Sequence, residues 1–64
     1  MSDFKTRLLD ERTELNDKID KLTLFQTGPI FSTIDARQQA LLNVQVHAML
    51  TYSQVLDERI KLLE

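Results

Sequence analysis

Apolar residues recur at three- and four-residue steps in two stretches of this chain, and Gly28-Pro29 lies between them. In the first stretch the main stripe is Phe4, Leu8, Leu15, Ile19 and Leu22, with the three leucines seven apart as in a coiled-coil seam. In the second, one row reads Leu42, Val46, Met49, Leu56, Ile60, Leu63, and a row beside it reads Ile34, Leu41, Ala48, Tyr52, Val55, Leu62. Two adjacent rows make an apolar face wider than one partner helix needs. The pattern predicts an all-α fold: an antiparallel helical hairpin with one helix over about 3–25 and another over about 33–63. Residues 1–64 are expected to form a single domain.

Local signals set the expected ends. Ser2 or Asp3 can cap the first helix, and Asp3 suits the positive end of its dipole. Gly28 and Pro29 are the only Gly and Pro in the chain. Pro29 cannot continue a helix, and Gly28 is expected at positive φ just past the helix end. Ile30 and Phe31 are expected to plug the closed end of the hairpin, with Ser32 or Thr33 capping the second helix. The first helix would then span about 22 residues and about 33 Å, the second about 31 residues and about 46 Å. The C-terminal turns of the second helix, with Ile60, Leu62 and Leu63, should overhang. Asp3–Arg7, Glu14–Lys18 and Asp17–Lys21 stand at i,i+4 with the acid first, the mark of a solvated face.

Size sharpens the expectation of a partner. A chain of 64 residues buries only about 60% of its unfolded surface and is marginal as a lone monomer. It has no Cys and a single His, so disulfides are excluded, no metal site is expected, and oligomerisation is the remaining remedy. The row Leu42, Val46, Met49, Leu56, Ile60, Leu63 is the expected oligomer interface. A net charge of −2 with interspersed acids and bases argues against a nucleic-acid binder. No apolar run approaches the roughly 18–20 residues of a membrane span, and the N-terminus has no signal-peptide pattern. A cytoplasmic protein is expected.

The sequence holds no catalytic motif: no glycine-rich phosphate loop, no nucleophile elbow, no paired His with a carboxylate. Neither an enzyme nor a cofactor is expected. The polar residues of interest lie on or beside the apolar faces. Arg12 interrupts the first seam, either laying its methylenes on the core edge or meeting a carboxylate or ligand at a subunit interface. Gln38, Gln45, Tyr52 and Arg59 form a line at heptad spacing on the second helix. This line is a register device at a subunit seam, or, with Arg12, the lining of a pocket, or simply exposed surface. In such a pocket Tyr52 would stack, Gln45 would read an amide or base edge, and Arg12 and Arg59 would hold an anionic group such as phosphate. His47, near Asn43 and Thr51, reads as an exposed polar residue.

Taken together, Phe4, Arg7, Glu11, Leu15, Lys18, Lys21-Leu22 and Phe25, followed by Phe31, Gln39, Leu41-Leu42, Gln45, Met49, Tyr52, Leu56 and Arg59-Ile60, resemble a family of small proteins encoded by tailed phages and prophages, including crAss-like phages. The resemblance covers nearly the whole chain. It implies a helix, a short apolar loop and a longer helix, and a phage accessory product in the bacterial cytoplasm. Accessory proteins of that kind often bind a host protein, sequester a nucleotide signal of host defence, or adjust host transcription. The leading expectation is a non-catalytic homo-oligomer with an anionic, nucleotide-like ligand between subunits. The alternative is an inhibitor or adaptor that uses an exposed helical face.

Overall fold

The computed structural model describes residues 3–64 as two helices packed side by side in an antiparallel hairpin. Helix α1 runs Asp3–Thr27 and helix α2 runs Ala36–Lys61, joined by a turn and a short 3-10 segment, Phe31–Thr33. The expected cap at Ser2 lies outside the described residues.

The ends of α2 correct the expected boundaries. The chain does not enter α2 at Ser32 or Thr33, because both hydroxyls bond back into the turn, to the carbonyls of Pro29 at 3.1 Å and Ile30 at 2.6 Å. Asp35 caps the helix instead, its carboxylate accepting from the Arg37 amide at 3.4 Å. With 25 and 26 residues, the two helices match in length at about 38–39 Å, so the expected long overhang is absent. Only Leu62, Leu63 and Glu64 lie beyond α2. Ile60, expected in the overhang, is only 3% exposed and belongs to the core.

Gly28 is a second correction, since no glycine among the described residues has positive φ. Its amide donates to the Phe25 carbonyl at 3.1 Å, so the helix tightens into a right-handed last turn and needs no left-handed residue. At the closed end Phe31 meets Phe25 edge-on, with ring centroids 6.1 Å apart and planes at 86°. Ile30 does not join this plug and is exposed.

The core is a single seam between the helices. Leu8, Leu15 and Ile19 of α1 pack with Leu56 and Ile60 of α2, and Leu9 and Met49 border them. Val46 is also buried. In one chain, therefore, part of the row expected to meet another subunit already meets α1: Leu56 and Ile60 have almost no free surface, at 0% and 3% exposed, and Met49 packs against them, whereas Leu63 stays 42% exposed. The second row is the open one, with Leu41, Tyr52 and Val55 all exposed.

Candidate functional site

Three polar contacts cross between the helices on one flank of the seam. Arg12 Nη1 donates to Asp57 Oδ1 at 3.1 Å, Ser53 Oγ to Asn16 Oδ1 at 2.8 Å, and Gln26 Nε2 to Asn43 Oδ1 at 2.7 Å. They share one alignment. Four residues forward from Arg12 to Asn16 match four back from Asp57 to Ser53, and ten forward to Gln26 match ten back to Asn43. Sliding one helix by a residue would break all three, including that of Ser53, the one buried polar side chain among the described residues. Arg12–Asp57 and Ser53–Asn16 are half-buried and Gln26–Asn43 is exposed; half-buried polar pairs of this kind specify register more than they add stability. Sequence reasoning missed these pairs, though the matched spacing of polar residues at seam positions was the available signal.

Arg12 thus meets a carboxylate, that of its own chain. Its side chain is 35% exposed and that of Asp57 is 45% exposed, so the pair lies along the flank in partial contact with water. Two open grooves adjoin it. One, of about 570 Å³, is lined by Leu9, Arg12, Gln54, Asp57, Glu58, Ile60, Lys61 and Glu64. The other, of about 600 Å³, sets Arg12 among Glu14, Asp17, Asp20 and Asp57. Acids outnumber bases in both, three to two and four to one. Like charge repels like at these distances, so this flank is unsuited to an anionic ligand.

The rest of the expected site is elsewhere. Residues two apart on an α-helix point about 200° apart, so Arg59 faces away from Asp57 and from the Arg12 flank. The Arg59 guanidinium carbon instead lies 5.9 Å from the centre of the Phe4 ring, over its face, a cation–π contact joining the end of α2 to the start of α1. Tyr52 is 43% exposed. Gln45 is exposed too, its amide reaching only the Met49 sulfur at 4.0 Å. Gln45, Tyr52 and Arg59 therefore share one outward flank of α2, and within one chain Arg12 does not join them.

The remaining polar candidates have local roles. His47 is exposed, its Nδ1 2.7 Å from the Asn43 carbonyl one turn earlier. Of the charge pairs expected on α1, Asp17–Lys21 closes at 3.2 Å in full view of solvent, which adds little. On α2, Lys61 pairs with Glu58 at 3.3 Å.

Away from the polar flank, on the outward side of α2, the hairpin leaves large apolar side chains in water. Leu41, Val44, Tyr52 and Val55 on α2 are 54%, 65%, 43% and 49% exposed. No described helix is long and apolar enough to cross a membrane, so a bilayer span does not account for this surface. The arrangement suits binding: an open apolar stripe with an aromatic ring and a guanidinium at its edge.

No curated protein and no solved structure matches the chain. One family model does, over residues 2–62, and it spans both helices, the turn and every residue of the outward flank. The chain belongs to the Sequestin family.

Proposed function

We propose that this protein is a non-catalytic phage accessory protein of the host cytoplasm, which sequesters a small anionic, nucleotide-like ligand between copies of itself. The family's name fits a binding, sequestering role. The observation that carries the ligand reading is the outward flank of α2, where Tyr52 offers an exposed ring and Arg59 a cation already held over Phe4. A guanidinium fixed by a ring keeps its donors free for phosphate, and an exposed aromatic beside it can stack on a base. Gln45, about two turns from Tyr52, can read the polar edge of such a base. Arg12, expected in the same pocket, carries its charge among acids on the other flank; it reaches the ligand only if a neighbouring copy brings it there.

Thermal shift with nucleotides, cyclic dinucleotides and ADP-ribose derivatives tests this reading. A ligand at 100 times its dissociation constant should add about 2.7 kcal/mol of stability. Tyr52→Ala and Arg59→Ala should each abolish the shift while leaving the helical signal intact. If no compound shifts the melt, the ligand reading falls. The second reading, a protein-binding adaptor, then rests on the exposed Leu41, Val44 and Val55.

A further inference from the structure

The outer row of α2 has a symmetry of its own. Centred on Ala48, it runs Arg37, Leu41, Val44, Ala48, Tyr52, Val55, Arg59, with steps of four, three and four residues on either side. The chemistry mirrors the spacing: the smallest side chain stands at the centre, then two pairs of apolar residues, then an arginine at each end. All seven are exposed. At 100° per residue they fall on one face of the helix. A two-fold contact requires such a face, because in it residue i meets j while j meets i.

We propose that a second copy packs antiparallel on this row, with the two-fold axis at Ala48, so that Arg37 of one copy and Arg59 of the other form an anion-binding site at each end of the seam. Leu41 then faces the partner's Val55, and Val44 faces the partner's Tyr52. Ala48 lets the two helices approach closely at the axis.

The chain has surface to spare for such a contact. The chain exposes 5038 Å², whereas a compact monomer of 7.5 kDa should expose about 4,250 Å². The surplus of about 800 Å² is what each partner gives up in a standard interface. It exists because two helices alone make a rod, 48 × 15 × 13 Å, with one wide apolar face uncovered. The polar flank cannot serve, since its cross-helix pairs and acidic grooves would be desolvated against their own like charges.

The ends of the seam call for an anion. Antiparallel pairing about Ala48 sets Arg37 beside the partner's Arg59. The nearest acids in sequence are engaged elsewhere: Asp35 caps α2 and Glu58 pairs with Lys61. Two guanidinium groups with no carboxylate between them repel unless an anion joins them, and guanidinium favours bidentate oxyanions such as phosphate. These end sites rest on the reading that the ligand is anionic and held between copies; the packing itself does not.

Because the chain has no cysteine, introduced thiols report the arrangement directly. Under mild oxidation Ala48→Cys should cross-link to itself, and Leu41→Cys should cross-link only when mixed with Val55→Cys. Sedimentation should show a dimer at micromolar concentration, and Ala48→Glu should weaken it at least tenfold while the circular dichroism stays helical. Inorganic pyrophosphate should tighten the dimer several-fold, an effect lost in Arg37→Gln and in Arg59→Gln. A monomer at all concentrations, or self-cross-linking of Val55→Cys, would overturn the packing. A dimer indifferent to pyrophosphate would overturn the end sites. Failure of every nucleotide in thermal shift, with the cross-links intact, would count against the ligand reading alone.

Discussion

Leu56→Ala is the sharpest test of the hairpin core. Among the described residues Leu56 is the one large side chain fully out of water, at 0% exposed, and it packs with Leu8, Leu15, Ile19 and Ile60. Removing a buried leucine side chain costs about 2–5 kcal/mol, as lost transfer energy plus an unfilled cavity. In a rod this thin the walls can partly collapse, so about 3 kcal/mol is expected. A chain of 64 residues has about 3–10 kcal/mol of stability in all, so this one change removes a third of it or more. For so small a domain each kcal/mol moves the melting temperature by about 4–8 °C, which predicts a fall of about 12–24 °C. The measurement is thermal unfolding followed by circular dichroism, at one protein concentration. Leu24→Ala is the control, because Leu24 is 73% exposed and should change stability by no more than about 0.5 kcal/mol. Equal effects at the two positions, or a loss at Leu56 below about 1 kcal/mol, would refute the seam.

Two further substitutions test local claims. Gly28 lacks positive φ, and a Cβ there would meet the carbonyl oxygens of Phe25 and Leu24 at the ordinary distances of 3.5 and 3.8 Å. Gly28→Ala should therefore stabilise by about 0.4–1 kcal/mol through the unfolded chain; a lower melting temperature would show that the turn needs glycine. For Arg12 and Asp57, both more than a third exposed, a double-mutant cycle in urea should give a coupling below about 1 kcal/mol. A coupling of several kcal/mol would mean that the pair is buried in solution by a contact beyond the single hairpin.

The two-helix fold was legible because periodicity and the Gly28-Pro29 break are local signals. The entry to α2 was less so. Ser32, Thr33 and Asp35 are all good caps, and only the turn geometry decides that the two hydroxyls bond backward and the carboxylate forward. That choice shortened α2 by three residues, and its end at Lys61 together with the extension of α1 to Thr27 removed the rest of the length mismatch. Of the two rows on α2, which one faces α1 is likewise hidden from composition, since both are apolar; the matched polar contacts at Arg12, Asn16 and Gln26 settle it. Within the candidate site, heptad spacing correctly put Gln45, Tyr52 and Arg59 on one side of α2. It could not place Arg12 relative to them, because residues on different helices share no periodicity until the register is known.

The position of the core along the hairpin bears on how the molecule opens. Near the turn the helices touch through a polar pair, Gln26 with Asn43, while the apolar cluster of Leu8, Leu56 and Ile60 lies toward the end where the chain's two halves are farthest apart in sequence. A hairpin usually zips from its turn, and the distant contacts are the first to fray. Here the contacts that carry most of the burial are those with the longest loops to close. Partly zipped forms then gain little, and opening becomes all-or-none. Amide hydrogen exchange should accordingly be slowest around Leu56 and Leu15, remote from the turn, with rates there converging on those of global unfolding.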